Sequence, residues 1–553
     1  MKLLHGFAVW AICLISSHAP AQSLLQLEAN KPLAMSKERP VVWQNANFKL
    51  RLTNQALSLA PDSLASRRIA ILSPTSWSDL AHKLRQDPRT ILYAPMDFAL
   101  QLTVVELTSQ EQLDELAIAV HENRGMCGAI EVLSLDQRSY ILDEFRFPQA
   151  AYASRADFPQ LNDWLDAVDS ARLFQRILEL EESGNRFHAT PEGLAATAKI
   201  ASWFTEEGAA LDNFTVSTVG HDFTEQQSVV ARITGSSRPD EVVIIGAHLD
   251  SIARNRSLAP GADDNASGIA SLLEVLRILA AHGLQPQRTI EFHAYAAEEI
   301  GLIGSRDLAQ SYRSQNKQVV GMMQIDMNHW GNESDLGQVY LLTNDTSTEL
   351  RRRARNWLKH YIGDDYQIST LISNATSDHK AWYDQAYPTL FAFENPLAFN
   401  PQIHTAQDSS DRLNNPQLAR RITQLALIFA IYSAGTEQLD ASYEAQKEQL
   451  FPLASDPDLF VAAIQAADGH HLAISAPANT ASVEICVVEA RLDTGCIKER
   501  RSLQAQDPRN DRMLFYDTEV FDLQTENIWR IEAYDQDDRF IAIRQLILEA
   551  AQE

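Results

Sequence analysis

Six short stretches of this 553-residue chain carry histidines and carboxylates in patterns that suit metal chemistry. They are Ala247-His248-Leu249-Asp250-Ser251, the run Pro260-Gly261-Ala262-Asp263-Asp264-Asn265-Ala266-Ser267-Gly268, Ala297-Glu298-Glu299, Asp326, Ser377-Asp378-His379 and His404-Thr405-Ala406-Gln407-Asp408. Imidazole and carboxylate without thiolate suit zinc or a neighbouring divalent ion. Two histidines and three carboxylates suffice for two ions if one carboxylate is shared. A two-metal site polarises a carbonyl, lowers the pKa of a bound water and holds both ends of a displacement. It then needs a general base beside the water. The consecutive Glu298 and Glu299 can divide that work, one as base and one as ligand.

Functional groups in open α/β sheets sit at the carboxyl ends of strands, and the pattern around these motifs supplies such strands. Val242 to Ile245 is a continuous apolar run, as a strand buried on both faces should be. Ile269, Leu272, Leu273, Leu276 and Leu279 then repeat at helical spacing. Thr289 to Ala294, Val319 to Ile325, Val339 to Leu342 and Thr389 to Phe393 read as further strands, and Gly304 to Gln315 as a helix. This alternation predicts the α/β class, a mostly parallel twisted sheet sandwiched by helices. The predicted catalytic domain is 156–435. It is preceded by a domain at 22–155, with short strands and one helix from Gln110 to His121, and followed by a small β-rich domain at 445–553.

Charge narrows the partners. With 47 Lys+Arg against 73 Asp+Glu, the net charge is -26, which argues against nucleic acid or an anionic membrane surface. At the N-terminus, Lys2, the apolar run Phe7 to Ile15 and Ala19-Pro20-Ala21 read as a signal peptide over 1–21, cleaved after Ala21. The expected location is therefore secreted or periplasmic, with no membrane span in the mature chain. Cys486 and Cys496 flank an expected turn, Asp493-Thr494-Gly495, and are expected to form a disulfide in an oxidising compartment, which leaves Cys127 unpaired.

Taken together, the motifs resemble peptidase family M28, the zinc metallopeptidases, and most of all its secreted bacterial leucyl aminopeptidases. The resemblance spans about Pro159 to Ala434 and includes Gly246 to Ser251, Pro260 to Gly268, Ala296 to Leu302, Gln324 to Met327, Ser377 to His379 and His404 to Asp408. It implies two Zn2+ per catalytic domain. One would be bound by His248 and Asp326, the other by Glu299 and His404, with Asp263 bridging. Glu298 would be the base that activates the metal-bridging water and later protonates the leaving amine. Asp250 would orient His248 from behind, and Asp378 and Asp408 would likewise support the ligands. The resemblance also implies a cis peptide between Asp263 and Asp264.

The implied substrate is a peptide with a free N-terminus and a hydrophobic first residue such as Leu. Met327, Leu342, Phe391, Phe393, Phe399 and Ile403 match the family's pocket positions. The chain is expected to act as a monomer. Two departures stand out. Ile372-Ser373-Asn374-Ala375-Thr376 lacks the cysteine and the oxyanion-stabilising tyrosine of close relatives, and the loop from Glu394 to His404 is about one residue shorter. His121 to Gly128 resembles the propeptide of those enzymes, with cleavage expected near residue 155. Other readings of the same scaffold are a carboxypeptidase or dipeptidase, which would want a cation such as Lys380 or Arg412 near the pocket, and a one-zinc glutaminyl cyclase. A non-enzymatic binding module is the reading from a different class; it would have lost ligands or the base, and here all are present.

Overall fold

The computed structural model describes residues 160–436 except 255–256, 364–365 and 370–375, and the elements named below, with their shortest connections, within 25–134 and 460–548. The signal peptide at 1–21, Cys127, the processing region near 155, Asn374 and Cys496 lie outside the described residues. Two compact units divide between Asp440 and Ala441.

The first unit opens with β1 (Leu25–Ala29), β2 (Val41–Gln44) and β3 (Phe48–Leu52), an antiparallel sheet in the order β1-β3-β2. A second antiparallel sheet, β5-β6-β4-β7, is built from β4 (Arg68–Leu72), β5 (Thr90–Pro95), β6 (Gln101–Leu107) and β7 (Ile130–Ser134). It carries α1 (Asp79–Gln86) and α2 (Gln110–Arg124). Ser109 starts α2 by accepting a hydrogen bond from the Gln112 amide at 3.2 Å. Leu113, Leu116, Ala117 and Val120 recur at helical spacing and are buried.

Three helices follow: α3 (Leu161–Asp166), α4 (Ser170–Glu181) and α5 (Pro191–Glu207). Thr190 caps α5 and Pro191 occupies its first turn, where a missing N–H costs nothing. The main sheet then builds from β8 (Phe214–His221), β9 (Thr224–Ile233), β10 (Arg238–His248), α6 (Ser267–Ala281), β11 (Arg288–Tyr295), α7 (Ile303–Ser314) and β12 (Gln318–Ile325). It ends with β13 (Val339–Leu342), α8 (Thr348–Trp357), β14 (Tyr366–Ser369), α9 (His379–Asp384), β15 (Thr389–Phe393) and α10 (Pro416–Ala434).

The strand order is β14-β13-β15-β12-β10-β11-β9-β8. The central four, β15, β12, β10 and β11, run parallel, whereas β13 pairs antiparallel with β15, and β9 with both β11 and β8. β10 is buried from Val242 to its end, which is why Val242 to Ile245 read as an unbroken apolar run; β11 is buried throughout although it carries Glu291 and His293. The packing of α6 and α10 leaves Leu272, Leu276, Leu425 and Ile428 fully buried.

The N-terminal elements share a core with this domain. Ala70, Val105, Leu113, Leu116 and Val120 pack with Ile252, Ala297, Ile300 and Ile303. Among the described residues, no helix is long and apolar enough to cross a membrane.

The described residues of the second unit all lie in β-strands. β16 (Phe460–Ala466), β17 (Gly469–Pro477), β18 (Ser482–Val488), β19 (Arg501–Gln504), β20 (Asp507–Arg509), β21 (Arg512–Phe521), β22 (Asn527–Tyr534) and β23 (Phe540–Leu548) form two antiparallel sheets. Their orders are β16-β17-β21-β20 and β19-β18-β22-β23.

Candidate metal centre

The chemistry gathers where parallel strands end. His248 closes β10, in register with Tyr295 at the end of β11, so the Glu298-Glu299 turn after β11 comes up beside it. Asp250 locks the pair together. Its carboxylate accepts the amides of Glu298 at 3.0 Å and Glu299 at 3.2 Å. His248 Nδ1 lies 3.2 Å from the Asp250 carbonyl oxygen and 3.4 Å from its carboxylate, which turns Nε2 toward the site.

Asp326 directly follows β12. The Ser377 hydroxyl donates to its Oδ2 at 2.6 Å, and its Oδ1 lies 3.5 Å from His248 Nε2. Gly268 lets α6 begin against this strand end: a Cβ there would meet the Ile325 carbonyl oxygen at 2.6 Å. Arg186, which no sequence motif singles out, is fully buried and ties the loops together. It donates to the carbonyls of Leu249 at 3.0 Å and Gly261 at 2.8 Å.

The bridging position needs a correction. Asp264, not Asp263, lies between the two histidines, with Oδ1 3.0 Å from His248 Nε2 and Oδ2 3.0 Å from His404 Nε2. Asp263 faces away and accepts from the His329 amide at 2.9 Å and from Asn400 Nδ2 at 3.1 Å. The cause is local. Asp408 accepts the amides of both Asp263 and Asp264 at 3.1 Å, so the turn is pinned through its backbone and successive side chains leave on different sides. The cis peptide likewise falls at Asp264-Asn265, one bond later than expected.

Two buried groups of potential ligands result: His248, Asp264 and Asp326; and His121, Glu299 and His404. Within them Nε2–carboxylate separations run 3.0, 3.5, 3.2 and 3.3 Å. Zinc–nitrogen and zinc–oxygen bonds of ~2.0–2.1 Å imply tetrahedral edges of about 3.3–3.4 Å, so the spacing fits zinc. The buried atoms His248 Nε2, Asp326 Oδ1 and both carboxylate oxygens of Glu299 make no hydrogen bond, which suits atoms that ligate a metal.

The electrostatics agree. Burial opposes charge on His404, but Glu299 and Asp264 outweigh it and lift its pKa to about 10. His248 also rises well above the usual imidazole range, burial being outweighed by Asp326 and Glu298. Asp264 falls despite burial, because the His248 and His404 imidazoles 3.0 Å away favour its ionised form. Burial raises Glu298 well above the carboxylate range; His248 counters this, while Glu299, Asp378 and Asp326 add to it. So many acids in a dry pocket call for added positive charge, which divalent ions supply.

The remaining candidates sort cleanly. Asp378 accepts from Gln324 Nε2 at 3.1 Å, and burial raises it to about 7. His379 Nε2 lies 3.1 Å from the Asn344 carbonyl oxygen, and burial lowers its pKa to about 3, so it is neutral and structural. Met327, Leu342, Phe391, Phe393 and Ile403 form one buried apolar cluster, with Phe399 packed on its edge. Tyr340 joins it unannounced, although it lies two residues from Leu342 on the same strand face and opposite Phe393. Lys380 is buried and bonded to Asp384 at 2.7 Å, while Arg412 is 60% exposed. His221 has a buried side chain between Asp307 at 3.1 Å and Ser228 at 2.7 Å.

His121, on α2, carries no metal signature in sequence beyond its propeptide-like surroundings. Its Nε2 lies 3.2 Å from Glu299 Oε2, and its ring meets that of His404 edge-on at 4.3 Å.

Known proteins are similar to this chain in sequence and in fold. The family model of Peptidase family M28 matches residues 228–430. A probable leucine aminopeptidase of Trichophyton verrucosum is 33% identical over 266 residues, covering 46% of this chain and 71% of its own length. One of Arthroderma benhamiae is 31% identical over 266 residues, with the same coverage of 46% and 71%. Among solved structures, the LapA aminopeptidase of Legionella pneumophila has a similar fold, with a TM-score of 0.55 at 23% identity, covering 67% of this chain and 99% of LapA.

Proposed function

Because the chain belongs to peptidase family M28 and is a metallo-aminopeptidase, we propose that it is a secreted di-zinc enzyme that removes hydrophobic residues such as Leu from peptide N-termini. The observation that carries this reading is Asp264 reaching both His248 and His404 beside Glu298. His248, Asp264 and Asp326 would hold one zinc, and Asp264, Glu299 and His404 the other. Bound there, zinc supplies Lewis-acid polarisation of the scissile carbonyl and acidifies water.

The chain's own residues do the rest. Both Glu298 oxygens are buried and free of hydrogen bonds, so they are available to take a proton from the attacking water and return it to the leaving amine. Asp250 fixes the Glu298 and Glu299 backbone and the His248 ring, so base and ligands move as one block. The apolar cluster beginning with Met327 receives the first side chain, and the surrounding carboxylates complement a free α-ammonium. A carboxypeptidase is less well supported, because Lys380 is engaged by Asp384 and Arg412 faces solvent. Secretion rests on the signal-peptide pattern of residues 1–21.

The test is hydrolysis of Leu-, Glu- and N-acetyl-Leu-p-nitroanilide by the chain before and after limited proteolysis, with chelation and zinc add-back. The reading requires cleavage of Leu-p-nitroanilide alone, lost with chelator and restored by zinc. A zinc-loaded, processed sample that leaves this substrate intact contradicts it.

A further inference from the structure

The helix α2 puts a third imidazole against the centre. Its buried face packs Leu113, Leu116, Ala117 and Val120 into the same core as Ala297 and Ile300, the residues that bracket Glu298 and Glu299. Further ties hold the N-terminal elements down. The Val132 amide donates to the Gly301 carbonyl at 3.2 Å, Arg306 pairs with Glu131 at 2.7 Å, and His188 meets Asp114 at 3.1 Å.

His121 Nδ1 lies 2.7 Å from the Ala117 carbonyl oxygen, one turn back, so Nδ1 carries the proton that donates there. In the neutral ring Nε2 then presents a lone pair. That atom is buried, makes no hydrogen bond and points at Glu299 Oε2 from 3.2 Å. A metal ion held between the two atoms would take this lone pair and the carboxylate oxygen together. The same atom group, His121 with Glu299 and His404, is spaced to share one ion.

We propose that His121 is a protein ligand of the metal position formed by Glu299, His404 and Asp264, so that in the uncleaved chain this position keeps no open coordination site. The inference rests on the di-zinc reading above. Its logic is coordination number. Structural zinc sites are closed by four protein ligands, whereas catalytic ones keep a position open for water or substrate. Asp264, Glu299 and His404 leave such a position, and His121 fills it.

The test compares the zinc-loaded full chain with His121→Ala, and with His121→Ala plus imidazole. A crystal structure of the native full chain at the zinc absorption edge should place an anomalous peak ~2.0–2.1 Å from His121 Nε2. His121→Ala should weaken one of two zinc affinities by at least ~10-fold, the loss typical of even an outer support to a metal. Imidazole should reverse this effect. Zinc bound away from Nε2 in the native chain, or unchanged zinc affinities in the variant, overturns the proposal. The crystallographic arm needs no variant, so a folding defect in His121→Ala cannot mask the result. If zinc sits on Nε2 but neither the variant nor processed protein cleaves any anilide, the peptidase reading fails and the ligand assignment stands.

Discussion

Asp264 lies 3.0 Å from His248 through one carboxylate oxygen and 3.0 Å from His404 through the other, so one side chain joins the end of β10 to the loop after β15. Its neighbour Asp263 is equally buried but serves the scaffold, accepting from His329 and Asn400. The two positions should therefore respond differently to the same change. Asp263→Asn should cost about 1–3 kcal/mol of stability, as expected when a buried acceptor is disturbed. It should leave the Leu-p-nitroanilide activity of processed protein within a few-fold. Urea melts and steady-state rates on the same preparation check both.

Glu298 makes no contact that suggests a structural duty for its carboxylate. Glu298→Gln should keep the zinc content and lower kcat by ~10²–10⁴-fold, the usual worth of a general acid–base group. An equal fall in zinc content would assign Glu298 to binding instead.

Side-chain preference should sit in the Met327–Phe393 cluster. Phe399 packs at its edge, so Phe399→Ala should reduce the preference for Leu- over Ala-p-nitroanilide by about 10-fold, the scale set by a few buried methylenes. Rates on the two anilides measure this directly.

Away from the centre, Glu291 accepts from Tyr312 at 2.7 Å and pairs with His293 at 2.9 Å. Burial would raise its pKa, but His293, Arg232 and Tyr312 outweigh it, lowering it from 4.5 to about 2. A depressed folded-state value means stabilisation present above the unfolded pKa and lost as pH falls through about 2. The linkage is worth about 3 kcal/mol at neutral pH. Glu291→Gln should remove it, so the wild-type and variant stabilities should converge as the pH drops from 7 toward 2 in denaturant titrations.

Most of the centre was legible because parallel strands announce themselves as apolar runs and their ends carry the ligands. His248, Glu298, Glu299 and Asp326 stand at or just beyond the ends of β10, β11 and β12, and the apolar stretches within β10 and β12 point to two of those ends. The choice between Asp263 and Asp264 was not legible. They lie in an irregular turn without periodicity, and the hydrogen bonds that their amides donate to Asp408 decide which side chain turns inward. His121 was hidden for a different reason. It lies one turn beyond Ala117 on the buried stripe of α2, so from sequence it reads as an ordinary core histidine. The antiparallel insertion of β13 beside β15 was equally opaque, since a four-residue apolar strand carries no sign of its direction.

The most direct measurement is the zinc stoichiometry and affinity of Asp264→Asn beside the wild type and Asp263→Asn, by competition with a chromophoric chelator. The account predicts two zinc ions per chain in the wild type and in Asp263→Asn, with both ions weakened together in Asp264→Asn. Loss of a single ion in Asp264→Asn, or loss of both in Asp263→Asn, would contradict the assignment of Asp264 as the carboxylate that joins the two metal positions.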